Sequence, residues 1–410
     1  MTEQAPELID TDEKLAPFLL PLATETSPVA VDTERACGYR YSQRAYLIQL
    51  KTPSTGILLI DPIGISPAAL SDLDQALDQE WILHAATQDL PSLREAGLHP
   101  RRLFDSELSA RLLGREKVGL GPLVEDILDI QLAKDHGNSD WSTRPLPAPW
   151  LSYAADDVEY LLELAEALKQ ELSDAGKADW AAQEFAYLLS QGPPSPKPDP
   201  WRSTTDIHLV RTRLGMAVVR ELWQVRDRVA AELDLAPHRI VNDRAIAALG
   251  VRTDDTITPA LRILERRDWG QAPARAYQQD FRKAVADLAN QPSSELPDLR
   301  ASRGGIPMPS QWSRRNPEAA ARWAAVRPAI VELAESLTLP TENMISPAAL
   351  RRLLWEPEGL DASSIDAQLA GLAVRDWQRS LVVDLIAERL SPLRGQGGVD
   401  PIQDSLAGEA

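Results

Sequence analysis

The chain has 410 residues, of which 44% are hydrophobic and 25% are charged, a composition that is typical of globular proteins and excludes wholesale disorder. At this length we expect two to four domains. No stretch approaches the roughly 18 apolar residues of a membrane span, and the acidic N-terminal segment lacks the basic start and apolar run of a secretory signal. The single cysteine, Cys37, argues against an internal disulfide and a cysteine-based zinc site. These features predict a cytoplasmic protein with no membrane association.

The charge of the chain is unevenly distributed. The formal net charge of −18 argues at first against a nucleic-acid partner, because polyanions bind basic surfaces. Residues 1–190, however, carry a net charge of −17, whereas residues 209–290 carry +3 and residues 291–410 carry −4. The acidity is therefore concentrated in the first segment, and the middle segment is locally basic.

Strand and helix patterns alternate in the first 190 residues. Short runs rich in Val, Ile and Leu predict strands at 27–34, 45–52, 56–62 and 81–86. The turn-sized gaps between the first three strands indicate an antiparallel meander. A helix is predicted at 66–79, with Ser66 as its cap and Pro67 at its first position. Helical patterns then dominate, and we expect a mixed α/β domain with one central sheet.

Two stretches interrupt this organisation. Residues 191–204 contain five prolines and predict a semi-extended linker, and residues 290–310 mix Pro, Gly and Ser. Past the first linker the pattern is helical, and residues 222–249 resemble residues 323–355. Each of the two segments has an aromatic-led helix, a turn with Leu and Pro, an N-cap residue and a second helix. The sequence therefore predicts two copies of one small helical module.

Acidic side chains stand at predicted strand ends and helix starts. Asp32 and Glu34 are two residues apart in a strand, so both point to one face of the sheet. Asp89 opens a predicted helix, while Tyr153 and Asp157 are four residues apart and share one face of another. Taken singly, each has an ordinary explanation as a solvent-facing acid, a helix N-cap or a first-turn acid favoured by the helix dipole.

Taken together, these four carboxylates form a possible metal-ligand set. Carboxylate oxygens are the hard ligands that Mg²⁺ or Mn²⁺ prefers. Two such ions roughly 4 Å apart suit in-line cleavage of a phosphodiester, since one lowers the pKa of the attacking water and the other stabilises the departing 3′-oxygen. The hydroxyl of Tyr153 would hold that water in line. This constellation predicts phosphodiester hydrolysis.

Three segments, VAVDTE, LHAATQDL and YAADDVEYL, resemble the exonuclease motifs of the DEDD superfamily, and the Y-x-x-x-D spacing is that of its tyrosine branch. The SDW and RPL segments between the second and third motifs closely resemble the ribonuclease D family. The resemblance covers about residues 20–190. It implies a ribonuclease H-like mixed-sheet domain in which Tyr153 orients the nucleophilic water. It also implies two divalent ions, Mg²⁺ or Mn²⁺, ligated by Asp32, Glu34, Asp89 and Asp157.

The segment LWQVRDRVAAELDLAPHRIVND resembles the HRDC module, a small helical bundle that binds nucleic acid. Its C-terminal echo resembles a second, more divergent copy, which lacks the full L-W-x-x-R-D run. The fold class expected from the resemblance is thus an α/β exonuclease domain followed by two all-α bundles. The segments are an exonuclease domain at 1–190, a linker at 191–210, an HRDC domain at 211–292, a linker at 293–312, a second HRDC-like domain at 313–393 and a flexible tail at 394–410.

Four further residues are candidates for nucleic-acid contacts: His84, Arg144, Arg220 and Arg226. For His84 the alternative is a structural histidine, and Arg144 would be a phosphate ligand if it faced the substrate channel. The two other arginines belong to the basic segment 211–283, where solvated helix surface is the alternative to RNA-backbone binding. Cys37 has no identifiable histidine partner and is interpreted as structural or incidental.

The leading hypothesis is a metal-dependent 3′→5′ exoribonuclease that trims structured RNA, tRNA precursors above all, and releases nucleoside 5′-monophosphates. The choice of tRNA depends wholly on the resemblance. A DNA 3′→5′ exonuclease of repair type is the second hypothesis, because the same metal site does not distinguish the sugar. A non-catalytic RNA-binding protein that retains the nuclease fold is the third. RNA is the expected partner, and the sequence offers no basis for predicting a protein partner.

Overall fold

A computed structural model describes residues 7–132, 137–193, 195, 197–266, 268–300 and 305–393. Its sheet has six strands in the order β1-β4-β3-β2-β5-β6. The strands are β1 (Leu8–Ile9), β2 (Val29–Arg35), β3 (Ala45–Thr52), β4 (Gly56–Ile60), β5 (Glu80–Leu83) and β6 (Arg102–Asp105). One mixed sheet therefore organises the N-terminal part of the chain, as the alternation of strands and helices predicts.

Strands β2, β3 and β4 form the predicted antiparallel meander. Strand β5 pairs in parallel with β2, and β6 pairs in parallel with β5. The predicted strand 81–86 ends early, because Ala85 has a φ of 59° and turns the chain out of the extended conformation. Strands β1 and β6 are too short to produce a periodic pattern, and the sequence did not predict them.

The helices of the N-terminal part are α1 (Asp12–Thr24), α2 (Pro67–Ala76), α3 (Leu90–Glu95), α4 (Ser106–Leu112), α5 (Leu120–Leu128), α6 (Ala148–Glu159), α7 (Leu161–Asp174) and α8 (Ala178–Ser190). Helix α2 begins as predicted, since the Ser66 side chain accepts a hydrogen bond from Ala69 N. Helix α1 was not predicted, because Pro17 and Pro21 lie inside it and proline ordinarily ends a helix. Helix α6 packs against β2, β3 and β4.

Past the first linker the described chain is helical. The helices are α9 (Arg213–Leu233), α10 (Asp243–Val251), α11 (Thr258–Leu264), α12 (Ala272–Ala276), α13 (Gln278–Asp287), α14 (Trp312–Arg315), α15 (Pro317–Ser336), α16 (Thr341–Met344), α17 (Pro347–Trp355), α18 (Ala362–Gly371) and α19 (Asp376–Leu390). The predicted internal echo corresponds to α9–α10 and α15–α17. Asn242 and Ser346 cap the second helix of each pair, accepting hydrogen bonds from Ala245 N and Ala349 N.

The chain forms two compact units. The first contains the chain up to Glu107, residues 119–167 and residues 185–303, and the second contains residues 108–118, residues 168–184 and the chain from residue 304. In the first unit a core that includes Leu222, Val229 and Phe281 holds α9–α13 together. In the second, Glu184 accepts hydrogen bonds from Arg375 Nε at 2.7 Å and from Trp377 Nε1 at 2.8 Å.

Among the helices that the structure describes, none has both the length and the apolar character that crossing a bilayer requires. The predicted tail at 394–410 lies outside the described residues.

Candidate active site

Strand β2 presents different side chains to the two faces of the sheet. Asp32 and Glu34 share the face that α6 covers, because side chains alternate along a strand. Thr33, between them, points to the other face, where its hydroxyl lies 2.8 Å from a carboxylate oxygen of Asp89. The D-T-E sequence thus places two carboxylates on one face of the sheet and a hydroxyl on the other.

Asp157 on α6 completes a compact acidic cluster with Asp32 and Glu34. Each of the three residues places a carboxylate oxygen within 4.8 Å of the others. The helix brings Asp157 to this position because α6 lies across the centre of the sheet, where the meander presents its acidic face. The structure therefore unites acids that are more than 120 residues apart in the sequence.

Asp89, the fourth predicted acid, approaches from the loop that follows β5. It is buried, with 5% of its surface exposed, and accepts a hydrogen bond from the Thr33 hydroxyl. Its charge raises the pKa values of Asp32, Glu34 and Asp157, so it acts electrostatically on all three clustered acids. It does not cap α3 through its side chain, which excludes the ordinary explanation offered by the sequence.

The acidic cluster holds its protons strongly. Burial, followed by the charges of the neighbouring acids, raises the pKa of Asp32 well above its usual range. Burial also raises the pKa of Glu34 to about 9, that of Asp157 to about 7 and that of Asp89 to about 6. The Arg35 guanidinium acts in the opposite direction on Glu34 and Asp89, and their pKa values remain raised. The fold by itself thus leaves the negative charges of this cluster poorly compensated.

Tyr153 lies one helical turn before Asp157, and the two side chains are hydrogen-bonded to each other. A Cβ atom on Gly137 would stand 3.3 Å from the Tyr153 hydroxyl, so a larger residue would crowd this oxygen. Burial and the charges of Asp157, Glu34 and Asp32 raise the pKa of Tyr153, which keeps its phenol protonated at neutral pH. The phenol is therefore a hydrogen-bond donor at the border of the acidic cluster.

The donor set fits a hard divalent cation. Oxygen ligands from several carboxylates, held close together at a partly solvent-exposed position, are the usual site for Mg²⁺ or Mn²⁺. A bound cation would offset the burial and the mutual repulsion that raise the pKa values of these acids. The chemistry of the residues is consistent with metal dependence.

Asp105, a buried residue at the end of β6, supports the approach of Asp89. One of its carboxylate oxygens accepts a hydrogen bond from Ala85 N at 3.2 Å and the other accepts from Ala86 N at 2.8 Å. These bonds hold the turn from which Asp89 emerges. Sequence reasoning missed Asp105, although the signal that singled out Asp32, an acid that ends an apolar strand, is present in RLFD as well.

Two of the residues predicted to contact nucleic acid are engaged inside the protein. The Nδ1 atom of His84 lies 2.9 Å from Ser106 Oγ. All five N–H groups of the Arg144 guanidinium have acceptors: Asp61 Oδ1 and Oδ2, Trp141 O, Thr143 O and Tyr46 O. These contacts favour a structural role for Arg144 over the predicted phosphate contact.

The two HRDC arginines differ in accessibility. Arg226 is buried, with 5% of its surface exposed, and donates to Val241 O and to Asp243 at the start of α10. This burial argues against the predicted contact with nucleic acid. Arg220 is half-buried, pairs with Glu221 at 2.8 Å and lines a groove of about 700 Å³ on the HRDC segment. Of the pair, Arg220 is the one whose position leaves it accessible to a ligand.

The HRDC segment contacts the loop that leaves the active-site strand. Asp234, at the C-terminal end of α9, accepts a hydrogen bond from Ser42 N at 2.8 Å and another from the Tyr46 hydroxyl at 3.3 Å. Arg239 donates to Gly38 O at 2.9 Å. The loop that follows Glu34 is thereby held at several points by the helical module.

Three models of known families match separate parts of the chain. Residues 6–173 match a 3′-5′ exonuclease model and residues 216–276 match the HRDC domain. Residues 305–390 match a 3′ to 5′ exonuclease C-terminal domain, so the segment that we expected to be a second HRDC copy has a family model of its own. The order of these matches follows the predicted order of an α/β domain and two helical segments.

Similar proteins cover most of the chain. Ribonuclease D of Pseudomonas paraeruginosa is 30% identical over 286 residues, which are 67% of this chain and 69% of that relative. A crystal structure of a protein from Bifidobacterium adolescentis is 35% identical, with a TM-score of 0.82 over 94% of this chain and 97% of the other. The crystal structure of Escherichia coli RNase D is 25% identical, with a TM-score of 0.67 over 94% and 98% of the two chains. Two of the exonuclease motifs meet in the acidic cluster, and an HRDC domain follows the exonuclease domain in the sequence. The chain belongs to the ribonuclease D family of 3′-5′ exonucleases.

Proposed function

We propose that the protein is a metal-dependent exoribonuclease that removes nucleotides one at a time from RNA 3′ ends and releases nucleoside 5′-monophosphates. The observation that carries this proposal is the convergence of Asp32, Glu34 and Asp157 within 4.8 Å, with Asp89 electrostatically coupled to them. The Escherichia coli relative is described as an exoribonuclease involved in structured RNA processing. This description supports RNA as the substrate of the present chain.

Asp32, Glu34, Asp89 and Asp157 would hold two divalent ions, Mg²⁺ or Mn²⁺. When bound, such a pair of ions supplies an activated water molecule and a counter-charge for the departing 3′-oxygen. The protein contributes a rigid arrangement of ligands: β2 fixes Asp32 and Glu34, α6 fixes Asp157, and Thr33 holds the carboxylate of Asp89. A bound cation would offset the burial and the mutual repulsion of these carboxylates, which favours cation binding.

Tyr153 would orient the attacking water. Its phenol stays protonated, because its pKa is raised, and it lies beside the acid cluster through its hydrogen bond with Asp157. A hydroxyl can donate to one oxygen and accept from another donor at the same time. It can therefore hold a water molecule in line with the scissile phosphodiester without acting as a base.

We infer further that the natural substrates are structured RNAs with 3′ extensions, with tRNA precursors as the leading candidates. The support is the family membership together with an HRDC domain that carries the locally basic segment 209–290. A flexible substrate end would enter the acidic site, while the folded part of the RNA remains outside and contacts basic residues through its phosphates. Arg220, which lines an open groove and pairs with Glu221, is the candidate for such a contact.

The experiment is degradation of a 5′-labelled tRNA transcript with a 3′ extension by the full chain. With Mg²⁺ or Mn²⁺ we expect a ladder that shortens from the 3′ end and nucleoside 5′-monophosphates as products, and with EDTA we expect neither. A DNA strand of the same sequence distinguishes RNA from DNA preference. The Asp157→Asn variant is the matched control, because it changes one ligand and leaves α6 in place.

Two outcomes would contradict the proposal. Equal or faster degradation of the DNA strand would indicate a DNA exonuclease. Undiminished RNA binding without hydrolysis in either metal would indicate an RNA-binding protein that has kept the nuclease fold.

A further inference from the structure

Gln49 occupies the centre of the sheet directly beside the acidic cluster. In β3 it is the pairing partner of Asp32 on β2 and of Leu59 on β4. Residues directly opposite each other on neighbouring strands point to the same face, with Cβ atoms about 5 Å apart. The side chains of Asp32 and Gln49 are therefore neighbours on the face of the sheet that α6 covers.

The amide of Gln49 is buried without a hydrogen-bond partner. The residue has 0% of its surface exposed, and neither Nε2 nor Oε1 has a partner among the residues that the structure describes. Such an amide costs about 1–3 kcal/mol, and a fold normally avoids this cost by placing an apolar side chain in the same space. A glutamine at this position therefore requires an explanation other than packing.

Within the sheet, Asp32 is the polar side chain that faces Gln49. On β4, Leu59 lies directly opposite Gln49, and Leu47 precedes Gln49 by two residues on β3. Both leucines are fully buried. Two residues later, Lys51 directs its ammonium group to the carbonyl oxygen and carboxylate of Glu159. Two leucine side chains and a lysine whose ammonium group is already bound therefore occupy the three other neighbouring positions within the sheet.

We propose that Gln49 is a positioning residue for the metal ligand Asp32. Its Nε2 group donates a hydrogen bond to the Asp32 carboxylate when that carboxylate ligates a cation, and this bond fixes the direction in which the second carboxylate oxygen points. Carboxylates that bind metals are commonly held by hydrogen-bond donors behind them, and loss of such a donor typically weakens metal binding. The inference rests on the proposed metal-dependent function.

Replacement of Gln49 by methionine tests this role, because methionine keeps the length of the side chain and removes the amide. We expect the Mn²⁺ affinity of the full chain, measured by calorimetry without RNA, to fall by about 10-fold to 100-fold. We expect the metal-free Gln49→Met variant to unfold at the same temperature as the unchanged protein or at a higher one, since an unpartnered amide has been removed. A residue that only supports the fold would show the opposite pattern.

Gln79→Met is the matched control. Gln79 is also a buried glutamine, but its Nε2 donates to the carbonyl oxygens of Leu22 and Glu25, away from the acidic cluster. This control should lower the unfolding temperature and leave Mn²⁺ affinity unchanged. If Gln49→Met binds Mn²⁺ as tightly as the unchanged protein does, the positioning role is overturned. Absence of Mn²⁺ binding to the unchanged protein overturns the proposed function instead, and the positioning role with it.

If Gln49→Met does not fold, side-chain amide NMR of the unchanged protein answers the question. The sample is labelled with ¹³C and ¹⁵N, and through-bond correlations to the Gln49 backbone assign the side-chain signal without a substitution. Mg²⁺ addition should shift the Gln49 amide signal and slow its hydrogen exchange. A signal that does not respond to saturating Mg²⁺ overturns the proposal.

Discussion

Two kinds of carboxylate occur at the same sheet, and they have opposite surroundings. Asp61, just past β4, is 4% exposed and accepts hydrogen bonds from Nε and Nη2 of Arg144, at 2.6 and 2.8 Å. Asp32 and Glu34 on β2 are surrounded by further acids, and their pKa values are raised. Asp61 is compensated by the fold, whereas the cluster is compensated only when a cation is supplied from outside.

The difference distinguishes structural acids from functional ones. A buried charge that has a built-in counter-ion contributes to a unique structure, and its removal is harmful because the partner is left unpaired. A buried group of like charges destabilises the metal-free fold, so it persists only where binding requires it. Substitutions in the two regions should therefore change stability in opposite directions.

The largest effect is expected for Asp32→Asn. RNA hydrolysis should fall by at least about 10³-fold, because one of the proposed ligands of the ions is lost. At pH 8 the metal-free variant should be more stable than the unchanged protein, by about 1 kcal/mol, since asparagine removes a carboxyl group that burial and neighbouring acids make harder to ionise in the folded chain than in the unfolded chain. Single-turnover kinetics and urea denaturation check the two halves of this prediction. A variant that lost both activity and stability would place Asp32 with the structural acids.

Arg144→Ala should produce the opposite pattern. Loss of the guanidinium leaves Asp61 buried without its counter-ion, and we expect the free energy of unfolding to fall by about 3 kcal/mol. Hydrolysis by the folded fraction should stay near that of the unchanged protein. Urea denaturation measures the first quantity, and activity at a temperature well below the transition measures the second. An intact stability with weakened RNA binding would instead restore the phosphate-contact role predicted from the sequence.

A double-mutant cycle sharpens this result. The combined Arg144→Ala and Asp61→Ala variant should lose less stability than the sum of the single variants, because the second change removes the charge that the first left unpaired. Additive losses would show that the two side chains act independently.

The pH dependence of the metal-free protein separates the two regions without mutation. The pKa of Glu34 is raised to about 9 and that of Asp157 to about 7, so between about pH 5 and pH 9 the folded chain keeps protons that the unfolded chain has released. Stability should consequently fall as the pH rises through this window, by at least about 2 kcal/mol. Thermal unfolding in EDTA measures it.

Saturating Mn²⁺ should weaken or reverse this trend, because metal ligands must release their protons. A stability that increased with pH in EDTA would contradict the raised pKa values.

The two kinds of carboxylate also differ in how far the sequence predicts their surroundings. The meander was predictable, and so were the shared face of Asp32 and Glu34 on β2 and that of Tyr153 and Asp157 on α6, because strand alternation and helical spacing determine which side chains share a face. The sequence does not predict which carboxylates have a counter-ion, since the pairing of Asp61 with Arg144 joins residues 83 positions apart. The same limit applies to Gln49, whose position opposite Asp32 depends on strand register.

Boundaries and short elements were the weaker predictions. Strand β6 has four residues, too few for a periodic pattern, yet it carries the buried carboxylate of Asp105 that holds the Asp89 turn. Arg226 was counted as part of a basic surface because its burial against α10 arises only when the helices pack. Local patterns thus located the chemistry, and tertiary contacts decided the role of each charge.

Tyr153→Phe should have the smallest effect, and it separates metal binding from water orientation. The substitution removes one hydroxyl and keeps the ring, so the single-turnover rate should fall about 10-fold, the equivalent of one hydrogen bond. Mn²⁺ affinity measured by calorimetry should stay within about twofold, because Tyr153 contacts the cluster through Asp157 and is not one of the acids. A rate equal to that of the unchanged protein would remove Tyr153 from the reaction. An affinity loss as large as that of Asp32→Asn would show that the hydrogen bond between Tyr153 and Asp157 serves to build the metal site. The phenol would then have a structural role, like the guanidinium of Arg144.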